Sequence, residues 1–127
     1  MSYKGGNISV RGAEGQCYAG QVLMYIRINE PCKIIRDSVS VMTQPSGSSL
    51  TVDIRKNGTA VTDSIHASDA AIEVTTSQSA TNGLYTSYGT LDSANTTCAD
   101  GDVLYVVVTA VGSTYSGSDI LVQIRTS

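Results

Sequence analysis

The sequence contains neither Phe nor Trp, and His occurs only once in its 127 residues. All of its aromatic side chains are Tyr, seven in number. The core must therefore be built from aliphatic side chains, and each aromatic ring carries a hydroxyl that needs a partner or water. Charged residues make up 15% of the chain, below the usual quarter of a soluble protein. Seventeen Ser and fourteen Thr supply the polarity instead.

These absences exclude several classes of protein. A net charge of -3 argues against nucleic acid as a partner, because proteins that bind it carry a basic face. No apolar run approaches the roughly 18 residues of a membrane span, and residues 1–6 have no apolar segment typical of a signal peptide. Hydrophobic residues make up 41% of the chain and alternate with polar ones, which argues against disorder.

The sequence offers little for catalysis or metal binding. His66 has no second ligand at a fixed spacing, so we expect no metal. Ser64 and Asp69 lie close to His66 in the chain, but a catalytic triad is assembled from separate elements, and we expect a solvated loop histidine. Asp100 and Asp102 flank a glycine, as in a turn whose Asp side chains bond the backbone. We therefore expect no enzyme and no cofactor.

The three cysteines are Cys17, Cys32 and Cys98. Their number is odd and no CxxC motif occurs, so the pattern favours three reduced thiols. A bridge from Cys32 to Cys17 or to Cys98 is the alternative.

Alternation with a period of two dominates the chain and predicts β-strands. It is clearest in residues 50–56, where the side chains expected in the core are Leu50, Val52 and Ile54. The same pattern assigns inward positions in residues 21–28 and 34–43 to Val22, Met24, Ile26, Ile28, Ile35, Val39 and Val41. Asn57-Gly58 follows the strand at 50–56, and this pair predicts a β-hairpin with residues 59–62 as its second strand.

The whole chain, 1–127, is expected to form a single β-sandwich domain, with residues 1–12 as a possible N-terminal arm. Further strands are predicted in residues 70–76, 103–111 and 119–125, and one short strand within the Ser-rich and Thr-rich stretch 77–99. The inward residues expected in the first and last of the three are Ile72, Val74, Ile120, Val122 and Ile124. The fold class is all-β, an antiparallel two-sheet sandwich of about eight strands. The pattern leaves open whether its order is that of an immunoglobulin domain or of a jelly roll.

The segment 103–111 is apolar on both faces, although only one face of each sheet meets the core of a sandwich. An exposed apolar face of this kind usually marks a subunit interface. The residues predicted at a subunit or capsid interface are Leu23, Tyr25, Val103, Tyr105, Val107 and Leu121. Contacts from loops are expected at Tyr85, Tyr88 and Tyr115. The alternative is that residues 77–99 cover this face within one chain.

Two segments carry a family resemblance: LTVDIRKNGTAV at 50–61 and DGDVLYVVVTAVGSTYSGSDILVQIR at 100–125. In this order they resemble the motifs of small β-sandwich domains in virion proteins of tailed bacteriophages. AGQVLMYIRINEPCKIIRDSVSV at 19–41 fits the same pattern. One departure is Tyr115-Ser116 before Gly117, where such domains often have Pro before the Gly.

The resemblance implies a jelly-roll-like fold and a structural role, either as a capsid decoration (cement) protein or as the head or tip domain of a fibre. A decoration protein would be a homotrimer on the outer capsid surface, bound to the major capsid protein, after synthesis in the bacterial host cytoplasm. Because 127 residues leave room only for the sandwich, we expect the decoration role. The alternative is a fibre or tail protein involved in binding a host receptor.

Overall fold

The computed structural model describes residues 6–11 and 15–127, which form two antiparallel sheets packed face to face. The strands are β1 (Gly6–Arg11), β2 (Val22–Arg27), β3 (Cys32–Thr43), β4 (Leu50–Lys56), β5 (Ile72–Val74), β6 (Tyr85–Tyr88), β7 (Thr97–Cys98), β8 (Val103–Ala110) and β9 (Ser118–Thr126). Two short 3-10 turns span Val61–Asp63 and Ala67–Asp69. Within these ranges there is no helix with the length and hydrophobicity needed to cross a membrane.

The strand order is that of a jelly roll. Sheet I has the order β1-β9-β3-β6, with the two-residue β7 paired to the start of β3, and sheet II has the order β2-β8-β4-β5. Strands from the two ends of the chain therefore pair with each other, β1 with β9 and β2 with β8, as in a long ribbon folded over itself. The predicted antiparallel sandwich is confirmed, and of the two open orders the jelly roll is the one found.

The residues expected in an N-terminal arm are partly incorporated into sheet I. Residues 6–11 are β1 and pair with β9 along their whole length. Residues 1–5 and 12–14 lie outside the described part of the chain.

The core between the sheets is aliphatic, as the lack of Phe and Trp requires. The predicted inward residues of β4 are fully buried. The core residues of its neighbour β8 and of the facing strands β3 and β9 are buried as well: Leu104, Val106, Val108, Val39, Val41, Ile120, Val122 and Ile124. Burying one such side chain stabilises the fold by about 1.5–3 kcal/mol. The alternation in residues 50–56 and 119–125 therefore predicted the core correctly.

Two β-bulges reverse the predicted facing of four aliphatic residues. One follows Val22, which lies on the outer face and is 47% exposed, while Leu23 packs against the core. The other follows Ile34, which is buried, while Ile35 is 46% exposed. A bulge inserts one extra residue and so shifts the period-two pattern. The predictions of Val22 and Ile35 as core residues were wrong, and so was the outward facing on which the interface prediction for Leu23 rested.

The hairpin predicted at Asn57-Gly58 does not form. Asn57 has a positive φ of 62°, but its side chain is bound to the start of β8, accepting from the Val103 N–H and donating to Asp102 Oδ1. The following residues turn instead, because the Asp63 carboxylate accepts from the Ala60 N–H at 3.1 Å. The strand that pairs with β4 at this edge is β5, in which Ile72 and Val74 point inward as predicted.

Ile54→Ala is expected to lower the free energy of unfolding by about 2–5 kcal/mol, because Ile54 is fully buried. The matched control is Ile35→Ala, which removes the same atoms at an exposed site and should change stability by about 0.5 kcal/mol or less. Denaturant unfolding measures both variants. Equal losses for the two would contradict the facing that the bulge assigns to Ile35.

Candidate functional site

Two irregular segments, residues 64–67 and 89–92, lie between β4 and β3 and close one side of the sandwich. The Ile65 N–H donates to the Ile54 carbonyl of β4 at 3.0 Å, and the Ala67 N–H donates to the Thr90 carbonyl at 2.9 Å. Residues 89–92 continue the chain from β6, which pairs with β3. This closure carries His66 into the interior, although the chain around it is polar.

His66 bridges the two sheets through both of its ring nitrogens. Nε2 lies 2.5 Å from Asp37 Oδ2 on β3, and Nδ1 lies 2.8 Å from Asp53 Oδ1 on β4. The remaining members of this cluster bond Asp53: the Ser64 hydroxyl donates to Oδ1 at 2.7 Å, and Arg55 Nε donates to Oδ2 at 2.9 Å. We call these five residues the inter-sheet clamp.

The prediction of a solvated loop histidine was wrong, since His66 is only 1% exposed. Asp69, its neighbour in the chain, is exposed and takes no part in the cluster. The acids that bind His66 come from 13 and 29 residues away in the sequence. The sequence did contain one indication of a buried acid. Asp37 occupies an inward position of its strand, in phase with Val39 and Val41.

The clamp is electrostatically balanced around a protonated imidazole. Burial alone would lower the pKa of His66, but hydrogen bonds and charge attraction from Asp37 and Asp53 outweigh it and raise the pKa to about 9. Burial acts to raise the pKa of Asp53, yet hydrogen bonds from His66, Ser64 and Arg55 lower it overall. Only the imidazolium can donate from both nitrogens, so two cations face two carboxylates in the interior.

The geometry of the clamp is that of a structural cluster. A serine nucleophile needs a base within hydrogen-bond reach, but the Ser64 hydroxyl bonds Asp53, and both His66 nitrogens are already occupied by carboxylates. Ser64 is also only 2% exposed. Residues 6–11 and 15–127 contain no group of three His, Cys, Asp or Glu side chains arranged to hold a metal ion.

Gly89 packs directly on the clamp. A Cβ at this position would collide with Asp37 Oδ1 and with the His66 ring. Asp37 Oδ1 is buried and has no hydrogen-bond partner among the described residues. The Gly89 backbone therefore lies against both the Asp37 carboxylate and the His66 ring and helps to enclose them.

The predicted interface residues divide between several places. Tyr25, Val103 and Tyr105 lie together on the outer face of sheet II, where the two Tyr rings are 6.1 Å apart between centroids. With Val22, which the bulge places beside them, they form what we call the aromatic patch. Tyr25 is 70% exposed, whereas Tyr105 and Val103 are half-buried.

The other predicted interface residues are not in the patch. Val107 is only 6% exposed, because Val22 and Asp53 flank it on the neighbouring strands. Leu23 packs against the core. Leu121 does face outward and is half-buried, but it belongs to the outer face of sheet I.

Of the three tyrosines expected in loops, only Tyr115 is in one. It is half-buried, and its hydroxyl donates to Ser118 Oγ at 2.9 Å. Tyr85 and Tyr88 belong to β6, the short strand expected within residues 77–99. Tyr85 packs against the core, whereas Tyr88 is 57% exposed beneath the Arg36 guanidinium.

Two smaller sequence features are the turn at residues 100–102 and the three cysteines. The turn predicted at residues 100–102 forms, and Asp102 accepts from the Ala99 N–H at 2.8 Å. All three cysteines are free thiols. Cys32 and Cys98 lie opposite each other where β3 pairs with β7, and burial raises the pKa of Cys98 to about 11.

The clamp predicts a stability loss at alkaline pH. The pKa of His66 is about 9 in the folded chain against about 6.5 in the unfolded one, so its contribution is complete below pH 6.5 and disappears as the pH rises through 9. The free energy of unfolding should fall by up to about 3 kcal/mol across that interval. Because the pKa of Asp53 is lowered, its contribution is lost only as the pH falls below the ordinary carboxyl range.

Denaturant unfolding at a series of pH values measures this profile. His66→Gln should be less stable at pH 6 and should lose the alkaline slope, whereas Asp69→Asn, at an exposed acid, should keep it. A wild-type profile that stays flat between pH 6.5 and 9 would contradict a charged His66.

Comparisons of the chain with protein-family models, with curated proteins and with solved structures found no match. A function for this protein must therefore be argued from its own residues, its fold and its surfaces.

Proposed function

We propose that this chain is a structural protein of a tailed-bacteriophage virion, a capsid decoration protein that stabilises the outer surface of the capsid. The proposal combines the motif resemblance of residues 50–61 and 100–125 with the jelly-roll order of the strands. The jelly-roll order is the strand order that the resemblance implies. It depends on pairing between strands that are distant in the sequence and not on the motifs themselves.

The observation that supports self-association of the chain is the aromatic patch on sheet II. Tyr25 is 70% exposed and Val22 is 47% exposed, and both lie on the outer face of β2, with the bulge between them. Tyr is enriched at protein interfaces, since its ring contributes apolar area while its hydroxyl keeps a polar contact. A second copy of the chain covering this patch would remove that apolar surface from water.

Decoration would act by mass action. A protein that binds only the assembled shell stabilises it in proportion to its own binding free energy. A homotrimer, which the resemblance implies, would touch several copies of the major capsid protein at once and so gain avidity. Neither effect requires a catalytic centre or a cofactor.

Tyr25→Ser combined with Tyr105→Ser should convert the oligomer into monomers, because the substitutions remove both rings of the patch. Size-exclusion chromatography with light scattering at micromolar concentration measures the mass. The matched control is Tyr88→Ser, which removes a ring of similar exposure from the opposite sheet and should leave the mass unchanged. A wild-type protein that is monomeric under these conditions would contradict self-association through the patch.

Purified protein should cosediment with expanded capsids of its own phage, and the monomeric double variant should bind them more weakly because it lacks avidity. Quantification in intact virions supplies the second readout. A copy number comparable to that of the major capsid protein is expected, whereas a small number per particle would favour the head or tip of a fibre. Failure to bind expanded capsids would overturn the decoration role.

A further inference from the structure

The outer face of sheet I carries a groove of about 510 Å³ between the strands and residues 79–84. The register of the strands places the residues of its floor in three rows. Arg36 lies opposite Arg125, Ser38 lies between Gln123 and Tyr88, and Ser40 lies between Leu121 and Thr86. The groove therefore has a cationic end and a floor of hydroxyl and amide groups.

The charge of the groove differs in sign from that of the whole protein. Its lining includes two arginines, Arg36 and Arg125, and no acidic residue among the described ones, although the chain carries a net charge of -3. Both arginines are exposed. The Arg36 guanidinium lies 4.5 Å from the centroid of the Tyr88 ring, a cation–π contact that restricts its position before any ligand arrives.

Ser38 supplies a hydroxyl group to the floor of the groove. It is only 7% exposed and lines the groove, yet its hydroxyl has no hydrogen-bond partner among the residues that the structure describes. By contrast, the Ser40 hydroxyl lies 2.7 Å from that of Thr86. Because the Ser38 hydroxyl is not among the buried atoms that lack a partner, it is open to the groove, where a ligand with hydroxyl or carboxylate groups can bond it.

We propose that this groove binds an acidic saccharide. A planar guanidinium matches a carboxylate by two parallel hydrogen bonds, which assigns Arg36 and Arg125 to the sugar acid. The hydroxyl of Ser38 both donates and accepts, as sugar hydroxyls do. The volume lies within the usual range of small-molecule sites. This activity goes beyond capsid decoration and does not rest on it, since the groove and the aromatic patch lie on opposite sheets.

Isothermal titration with two carboxylated probes, trigalacturonate and α2,8-linked disialic acid, tests the proposal and distinguishes uronate from sialate sources. Saturable binding of at least one is expected. Its methyl ester, which has the same hydroxyls without the charge, should bind about tenfold more weakly or worse, because the salt-bridging hydrogen bonds are lost. Arg36→Gln and Ser38→Ala should each weaken binding of the acidic probe.

The matched control is Arg27→Gln, which removes an exposed arginine from sheet II and should leave binding unchanged. Thermal unfolding of every variant checks that the fold is intact. The proposal is overturned if neither carboxylated probe saturates, if the methyl ester binds equally well, or if Arg36→Gln and Ser38→Ala have no effect. Equally tight binding of a hexaglutamate peptide, or a change in oligomeric mass with Arg36→Gln, would overturn it in favour of a protein contact.

Discussion

The two hydrogen bonds of the His66 ring join the two sheets through buried polar groups outside the apolar core. Each ring nitrogen bonds a carboxylate from a different sheet, and Arg55 completes the charge balance. Removing one member of such a buried set leaves an uncompensated charge, which costs far more than the set contributes when whole. The clamp therefore penalises any arrangement of the two sheets in which Asp37, Asp53 and His66 do not meet, and so favours the one observed.

The core was predictable because an aliphatic strand buried on one face repeats every two residues, and residues 50–56 follow that rule without interruption. The bulges were not predictable. At Val22-Leu23 and at Ile34-Ile35 both neighbours are aliphatic, so either one satisfies the pattern, and only the partner strand decides which is buried. Strand order depends on pairing across the whole chain, as between β1 and β9, and local patterns carry no information about it.

The clamp could not be predicted from the sequence for a related reason. Asp53 occupies an outward position of its strand, where an acid needs no explanation, and His66 follows in a polar stretch that suggests solvent. What encloses them is the closure of residues 64–67 against 89–92, a contact between irregular segments. Asn57 shows the same limit: its preference for positive φ was read correctly, but the bonds of its side chain to Asp102 and to Val103 of β8 decided that no hairpin forms.

The two outer faces differ in chemistry, and this difference bears on how the protein can have two kinds of contact. The face of sheet II presents the aromatic patch, whereas the groove on the face of sheet I presents arginine, hydroxyl and amide groups. Association through sheet II would bury the apolar face and leave the polar groove on the far side of the sandwich, open to solvent. Because the clamp and the aliphatic core hold the sheets together, the two faces keep a fixed relation. A ligand held in the groove would thus be presented on the side of each subunit opposite its protein contact.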